Sequence, residues 1–316
     1  MVCGGELLRP HATVTCPETG EQFELARCPR CDTVETVPRL TLSELSGYYE
    51  TGYYGVEPRR FRYGLDSFWR WCQKQRVRRL QKHESEGRIL DIGCGNGGFL
   101  ASLDSSSWKR TGTELSDRAA SGARARGLEV LAGDITQLPL TAGSFDAVTM
   151  FHVLEHVPDA AGVLARIRDL LRDDGLLVVG VPNMASLQAR IARGSWYHLD
   201  VPRHCHHFTA QSLESTLAAT GFRVVGVSHF SPEYNVSGCL QSLYNLLGFP
   251  RNFIYGESRR QSAKAKSAPV TKGRRLLLLA AGAVLAPLVG SAAAVITIVE
   301  IALRRGGTIE VYARRT

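Results

Sequence analysis

The chain has 316 residues, of which 44% are hydrophobic and 22% are charged. This balance is typical of a globular protein with a buried core and excludes a disordered chain. Its net charge of +8 favours an anionic partner such as nucleic acid, a phosphorylated substrate or acidic lipid, without choosing among them. The N-terminus lacks the basic, apolar and small-residue order of a secretory signal. We therefore expect a reducing compartment, in which cysteines are metal ligands or buried thiols rather than disulfides.

Residues 1–40 contain four cysteines and almost no helical periodicity, which predicts a small β ribbon. A structural zinc site usually pairs two C-x-x-C knuckles, and here only Cys28-Pro-Arg-Cys31 is complete. Either Cys3, Cys16, Cys28 and Cys31 form a tetrahedral zinc site, or a ligand was lost because the start was assigned inside the first knuckle. The remaining alternative is a degenerate ribbon that binds no metal.

Residues 41–85 join two tyrosine pairs to an amphipathic helix. The pairs are Tyr48-Tyr49 and Tyr53-Tyr54, and the helix covers "DSFWRWCQKQRVRRLQKHE". Its apolar residues form a stripe, and arginines and lysines lie between them. Two interpretations stay open: a lid over a ligand, or a helix packed on the sheet with a solvated basic face.

From residue 86 onward, short apolar runs alternate with helical patterns, which predicts βαβ units and a parallel sheet of the α/β class. One helix is expected from Asp159 to a stop at Gly175, and another from Thr209 to Gly221. The last strand, "GTIEVYARR", lies at the C-terminus. The predicted core is therefore 86–230 plus 306–316.

A glycine loop follows the first of these strands. Gly93, Gly95, Gly97 and Gly98 are expected to open a helix, where free N–H groups and close backbone approach favour an anionic ligand. The same glycines satisfy G-x-G-x-x-G, so a nicotinamide dinucleotide is an alternative, although the motif alone is weak. Glu114 ends the next strand, where it would accept hydrogen bonds from ribose hydroxyls, and Asp134 ends the third, within reach of an adenine amino group.

In this order and at these separations, "DIGCGNGG", Glu114, "GDITQLPL", "SFDAV" and "HVLEHVPD" resemble the motifs of class I S-adenosylmethionine-dependent methyltransferases. The resemblance implies a Rossmann-like, doubly wound, mostly parallel seven-stranded sheet with S-adenosylmethionine as cofactor. It places the glycine loop at the methionine end, Glu114 on the ribose, and Asp134 with the Ile135 backbone on adenine. The cofactor-binding residues it implies are Asp91, Gly93, Gly95, Gly97, Glu114, Asp134, Ile135 and His152.

The ribbon followed by "YYETGYYG" resembles a bacterial subgroup of these enzymes with a similar N-terminal segment. "HVLEH" is similar to the E-x-x-E-H segment of ubiquinone-biosynthesis O-methyltransferases, which implies a divalent cation. Here His152 replaces the first glutamate, so Glu155 and His156 remain as ligands and cation dependence is left open. As a string, the segment also matches the H-x-x-E-H zinc-peptidase pattern. That match is accidental, because the segment lies between a strand and Pro158 rather than inside a helix.

Methyl transfer to a hydroxyl needs a positioned acceptor and a base for its proton. Histidine titrates near neutrality and suits that task. The candidate histidines occur in two loops that follow strands, "HVLEH" and "DVPRHCHHFT". Both loops are expected over the same crevice, and His156 and His204 are the predicted catalytic bases.

Residues 231–305 form a basic and hydrophobic insertion before the last strand. Leu276 to Val299 carry no charge, and 251–275 contain eight basic residues against one acid. The resemblance implies that the strands on either side of the insertion belong to one sheet, which argues against a single membrane crossing. A bend near Pro287 then predicts a re-entrant or interfacial helical hairpin. The alternative is a hairpin buried in a homodimer interface.

The sequence thus predicts a methyltransferase at the cytoplasmic face of a membrane, anchored peripherally or by a re-entrant hairpin. Its predicted reaction is O-methylation of a lipid-linked glycan, a quinone or a related small molecule. An RNA methyltransferase and a non-catalytic cofactor-binding protein of the same fold are the alternatives. A nucleic-acid partner is disfavoured, because no aromatic stacking motif or nucleic-acid-binding domain is evident.

Overall fold

The computed structural model describes residues 9–17, 19–49, 65–115, 117–258 and 271–316. Cys3, Tyr53, Tyr54 and part of the basic run lie outside these ranges. The strands are β1 (Arg9–Thr15), β2 (Gln22–Arg27), β3 (Val34–Val37), β4 (Gly87–Ile92), β5 (Trp108–Glu114), β6 (Glu129–Ala132), β7 (Phe145–Phe151), β8 (Leu171–Pro182), β9 (His206–His207), β10 (Phe222–Ser228) and β11 (Thr308–Arg315). The helices are α1 (Leu42–Ser46), α2 (Leu65–Leu80), α3 (Asp117–Arg124), α4 (Ala160–Leu170), α5 (Leu187–Ala192), α6 (Ala210–Ala219), α7 (Pro232–Leu246), α8 (Phe253–Ser258) and α9 (Lys272–Ala302).

The large sheet has seven strands in the order β10-β11-β8-β7-β4-β5-β6. β4, β5, β6, β7 and β8 are parallel, and β11 runs antiparallel to both β8 and β10. The predicted doubly wound, mostly parallel Rossmann-like sheet is confirmed. From β4 the chain winds one way to β6 and then returns to β7, so the crevice at the carboxyl ends of β4 and β7 is the expected ligand site.

Both faces of this sheet are buried, which explains why its strands read as continuous apolar runs. Neighbouring residues of one strand point to opposite faces: Leu90 packs with α4 and α6, and Ile89 packs with α2. The sheet is therefore the rigid layer on which the carboxyl-end loops are mounted.

Helix α4 ends at Leu170, not at Gly175 as predicted. Leu171 already pairs with Phe145 at the start of β8, and Asp174 rather than Gly175 takes the left-handed conformation, with φ 56°. Strand pairing with β7 thus overrides the helical pattern. The other predicted helix is confirmed: Thr209 caps α6 in a capping box, and Gly221 follows its end with φ 85°.

The N-terminal ribbon is a three-stranded antiparallel sheet that gains a fourth strand from the core, in the order β1-β2-β3-β9. β9 lies directly after His204 in the chain. Phe23, Leu25 and Val34 of the ribbon pack against Trp196 and Leu199 of the core. The ribbon is therefore built onto the segment that contains His204, one of the two predicted catalytic histidines.

The predicted hairpin within the apolar insertion is wrong. α9 continues through Pro287 as one helix of 31 residues, about 46 Å long. Ala283, whose carbonyl loses its partner at Pro287, lies on the exposed side of α9, so the helix tolerates the proline there.

A helical hairpin does exist, and it pairs α9 with α7. The Tyr244 hydroxyl near the end of α7 donates to the Gly282 carbonyl in the first half of α9, at 2.8 Å. At the other end, Gln188 contacts both the Asn235 carbonyl of α7 and the Glu300 carboxylate of α9. The two helices run antiparallel, and Gln188 joins the start of α7 to the end of α9, shortly before β11 begins.

Candidate active site

The glycine loop does not open a helix. After β4 the chain makes tight turns and only a three-residue 3-10 helix, Leu100–Ser102. The predicted anion site at a helix N-terminus is therefore wrong. Backbone conformation brings the loop over the crevice instead, because Gly93, Gly95 and Gly97 all have positive φ, between 54° and 72°.

The three glycines have different neighbours. A Cβ on Gly93 would lie 2.4 Å from Val153 of the next loop, and one on Gly97 would lie 2.4 Å from Leu128. A Cβ on Gly95 would meet nothing within 4 Å. Gly93 and Gly97 therefore serve protein packing, and Gly95 is the glycine that faces open space at the crevice.

The carboxylate of Glu114 holds this loop from β5. It accepts hydrogen bonds from the Gly95 N–H at 3.0 Å and from the Leu115 N–H at 2.9 Å. Burial raises the pKa of Glu114, and both amide donors oppose that rise. Each carboxylate oxygen keeps a second lone pair for a ribose hydroxyl, so the predicted role of Glu114 fits its position.

Asp134 follows β6, and its Oδ1 accepts from the Thr136 N–H at 2.9 Å and hydroxyl at 2.8 Å. The adjacent Ile135 is buried. Asp91 is buried at the end of β4, where Thr149 donates to its carboxylate at 2.7 Å. Burial raises the pKa of Asp91 to about 7, partly offset by that hydrogen bond.

His152 lies where β7 ends, with an unusual left-handed φ of 56°. A non-glycine residue there stores strain, which concentrates at functional sites. Its Nδ1 is 3.1 Å from Glu155 Oε1, and its ring lies 3.9 Å from the Tyr234 ring of α7. The predicted cofactor residue is thus fixed from two sides at the mouth of the crevice.

Helices α2 and α7 also contribute to the site. A lid over a ligand is one of the two interpretations of residues 41–85, which include α2, whereas α7 gives no signal in the sequence. Trp69 of α2 reaches Gly98 of the glycine loop and packs edge-on against Tyr234, with ring centroids 6.0 Å apart. Arg76, assigned to a basic face by its spacing, is buried. It pairs with Glu233 at 2.6 Å and Glu310 at 3.2 Å, and its guanidinium lies 4.0 Å from the Phe151 ring.

Glu155, His156 and His204 come together, as the acceptor prediction requires. One carboxylate oxygen and one nitrogen from each ring all lie within 4.8 Å of one another. Glu155 is buried, and its Oε2 has no hydrogen-bond partner within the described ranges. Burial raises the pKa of Glu155 to about 7, partly opposed by His156. These donor types and this spacing suit proton transfer, and they also suit a bound cation.

The two predicted bases differ in environment. His204 is buried, and burial together with the neighbouring histidines lowers its pKa well below the usual value, so its ring is neutral at pH 7. His156 is half-buried, and its Nδ1 lies 3.1 Å from the Arg203 carbonyl and 3.0 Å from the Tyr49 hydroxyl. His156 is therefore the ring with access to solvent and an anchored nitrogen.

The register of the ribbon separates the predicted zinc ligands. Cys16 lies beside Glu21 at one end of β2, and Cys28 and Cys31 lie beyond the other end. The length of β2 puts roughly 20 Å between them, far beyond two Zn–S bonds of about 2.3 Å. Cys16 therefore cannot share one ion with Cys28 and Cys31. All three thiols are buried, and Cys3 lies outside the described residues.

The family described as "Methyltransferase domain" matches residues 63–227, just over half of the chain. The chain belongs to this methyltransferase family. The glycine loop, Glu114 and Asp134 lie within the matched range.

Curated relatives resemble this methyltransferase over part of their length. It is 30% identical over 147 residues to the ubiquinone biosynthesis O-methyltransferase of Xanthomonas oryzae, covering 42% of this chain and 59% of that protein. It is 30% identical over 154 residues to a probable S-adenosylmethionine-dependent methyltransferase of Mycolicibacterium smegmatis, covering 46% and 58%. The chain thus spans less than two thirds of these relatives' length.

Among solved structures, this methyltransferase is similar to phosphoethanolamine N-methyltransferase 2 of Haemonchus contortus, with a TM-score of 0.51 and 14% identity. The similarity covers 98% of this chain and 68% of that chain. At such low identity it supports the fold alone.

Proposed function

We propose that this methyltransferase O-methylates a small hydroxyl acceptor at a membrane surface, with His156 as the base. The acceptor oxygen attacks the methyl carbon of S-adenosylmethionine, the C–S bond breaks, S-adenosylhomocysteine leaves, and His156 takes the hydroxyl proton. The observation that carries the proposal is the convergence of Glu155, His156 and His204 beside His152, at the cofactor end of β7.

The tautomer of His156 supports this role. A backbone carbonyl only accepts hydrogen bonds, so the contact with the Arg203 carbonyl requires a proton on Nδ1. Nε2 then carries the lone pair that a base needs. His204 is neutral, and its ring lies edge-on to His156 with centroids 4.5 Å apart, so it can orient the base without competing charge.

The membrane part of the proposal rests on α9, the one helix within the described ranges that is long and apolar enough to cross a membrane. Gly282, Val289, Ala293, Thr297 and Glu300 are buried on one side. The opposite side carries Leu277, Val284, Leu288, Val295 and Ile298, each between 60% and 79% exposed. A continuous exposed apolar stripe of this kind is typical of a surface that contacts a membrane or another protein.

The contacts of α9 favour a helix that lies on the membrane surface rather than one that crosses the membrane. Its C-terminal end is fixed by Glu300, which accepts from the Gln188 N–H at 2.8 Å and side-chain amide at 3.0 Å. Lys272, Arg274 and Arg275 at its other end, together with the basic run before it, suit anionic headgroups. A lipid-linked acceptor would then reach the crevice from that surface. The alternative is that the exposed apolar side of α9 packs against a second copy of this chain.

The reaction is tested with methyl-labelled S-adenosylmethionine and three acceptor classes: a short-chain hydroquinone, a polyprenyl-linked sugar and RNA. His156→Gln should lower turnover of the accepted class about 100-fold or more, because a general base contributes at least that factor. Binding of S-adenosylhomocysteine should not change. His11→Gln, on the exposed strand β1, is the matched control. Equal turnover by His156→Gln and wild type contradicts the proposal, and labelling of RNA alone favours the alternative substrate.

Membrane association is tested by flotation with vesicles of anionic or zwitterionic lipid. Leu288→Glu should abolish flotation, and Val227→Glu, at an exposed apolar position of β10, should not. Sedimentation of both variants tests the alternative. If Leu288→Glu floats like wild type but converts a dimer to a monomer, the apolar stripe is a subunit interface.

A further inference from the structure

The N-terminal ribbon holds the main chain around the predicted catalytic histidine. The Thr36 hydroxyl donates to the His204 carbonyl at 2.7 Å, and the Thr36 N–H donates to the Cys205 carbonyl at 3.0 Å. Glu35 pairs with His206 in the β3–β9 ladder. From the other side, the Cys205 N–H donates to the Glu155 carbonyl at 2.7 Å. The 204–206 segment therefore lies between the ribbon and the loop after β7.

The chain that leaves the ribbon contacts the same site a second time. α1 is followed by Tyr48, whose carbonyl accepts from Arg203 at 3.1 Å. The next residue, Tyr49, places its hydroxyl 3.0 Å from Nδ1 of His156, and the two rings lie 6.1 Å apart. The Tyr48 hydroxyl instead donates to Glu21 on the ribbon surface, at 2.6 Å. The hydroxyls of these adjacent tyrosines thus have different partners: Tyr48 contacts Glu21, and Tyr49 contacts His156, the proposed base.

The hydrogen bonds at Nδ1 define what Tyr49 does. The Arg203 carbonyl requires the proton on Nδ1, so the Tyr49 oxygen is a second acceptor of that same N–H. When Nε2 takes the acceptor's proton, the positive charge of the imidazolium faces two oxygens. Partners of this kind fix the tautomer and orientation of a functional histidine.

We propose that the N-terminal segment up to Tyr49, the ribbon together with α1 and the two tyrosines that follow, is part of the acceptor site, in which Tyr49 positions His156 and Thr36 positions His204. The inference rests on the proposed role of His156 as base. The core alone supplies the cofactor crevice, and the N-terminal segment completes the geometry for proton removal. Neither Tyr49 nor Thr36 is within a motif of the methyltransferase core.

The test uses the full chain with nitrogen-15-labelled histidine and bound S-adenosylhomocysteine. Long-range proton–nitrogen NMR reports the tautomer of each ring, and the His156→Gln spectrum identifies the His156 signals. Wild type should show His156 protonated at Nδ1, with slow exchange of that proton. Tyr49→Phe should make this proton exchange faster with water and admit the other tautomer. Tyr48→Phe should match wild type.

Thr36 is tested by the pair Thr36→Val and Thr36→Ser. Thr36→Val should lower kcat roughly three- to tenfold, the effect of one hydrogen bond, with an unchanged Kd for S-adenosylhomocysteine, and Thr36→Ser should restore the rate. Tyr49→Phe should lower kcat by a similar factor.

The inference is overturned if Tyr49→Phe leaves the His156 signals unchanged, or if Tyr48→Phe changes them equally. It is also overturned if Thr36→Ser is as slow as Thr36→Val. The NMR result does not depend on any acceptor. An intact Tyr49 effect with no methyl transfer would therefore refute the proposed reaction and leave the positioning role standing.

Discussion

Asp91→Asn should stabilise the cofactor-free protein at alkaline pH, because the native carboxylate is ionised in a buried position. Burial raises the Asp91 pKa to about 7 from 3.8, against the hydrogen bond from Thr149 and the charge of Arg76. Asparagine keeps an acceptor for the Thr149 hydroxyl. The variant therefore removes the buried charge and little else.

The sign follows from proton binding. Between pH 3.8 and 7 the folded protein binds more protons at Asp91 than the unfolded chain, so wild-type stability falls as pH rises. Each pKa unit corresponds to about 1.4 kcal/mol, so the buried, ionised Asp91 lowers the free energy of unfolding by about 4 kcal/mol at pH 8. Between pH 5 and pH 8, the free energy of unfolding of wild type should fall by about 2–3 kcal/mol relative to Asp91→Asn.

Urea unfolding of cofactor-free protein at pH 5, 6, 7 and 8 measures this difference. Asp146→Asn is the control of opposite sign: although burial raises the pKa of Asp146, the Arg88 N–H and Arg172 bring it below the usual value. That variant should lose stability at pH 8. A difference between Asp91→Asn and wild type that stays constant across this pH range would refute the reasoning about the buried charge.

Three further predictions concern the glycine loop, the buried ion pairs and the ribbon. Gly97→Ala should destabilise the fold by about 2 kcal/mol or more in urea unfolding, because its Cβ would overlap Leu128. Gly95→Ala should destabilise the fold by only about 1 kcal/mol and should mainly weaken cofactor binding. Equal losses of stability in the two variants would contradict the different roles assigned to the two glycines. Arg76→Met should lower the free energy of unfolding by about 3–5 kcal/mol, because it leaves Glu233 buried without its cation. Adding Glu233→Gln should recover part of that stability. If the double variant recovers none, the unpaired charge of Glu233 is not the cause of the loss. In zinc titrations of the full chain, Cys16→Ser should take up as much zinc as wild type, whereas a loss of uptake in Cys16→Ser would show that Cys16 is a ligand after all.

Sequence patterns predicted the sheet and the place of the glycine loop after β4 well, since both depend on local order. Apolar runs buried on two faces mark β4, β7 and β8, and Glu114 is recognisable because it ends the strand after the glycine loop. The errors at α4 and at the glycine loop arose where strand pairing or backbone turns overrode local helical signals.

Long-range contacts were not predictable in this way. Helical spacing puts Arg76 on a polar face, but its partners Glu233 and Glu310 lie 157 and 234 residues further along the chain. Thr36 is ordinary in sequence, and its contact with His204 depends on the pairing of β3 with β9. The Tyr48-Tyr49 pair stands out in the sequence, but only the structure shows that Tyr49 rather than Tyr48 contacts His156. Cys16 was grouped with Cys28 by composition, and only the β1–β2 register separates them.

Calorimetric titration with S-adenosylhomocysteine tests the central claim most directly. Wild type should bind one equivalent, and Glu114→Ala should bind at least about tenfold more weakly, since a charged acceptor would no longer meet the ribose hydroxyls. Glu129→Ala, at an exposed position of β6, should bind like wild type. Absence of binding by wild type, or binding unchanged by Glu114→Ala, would contradict the account of this chain as a methyltransferase that uses the β4–β5 crevice.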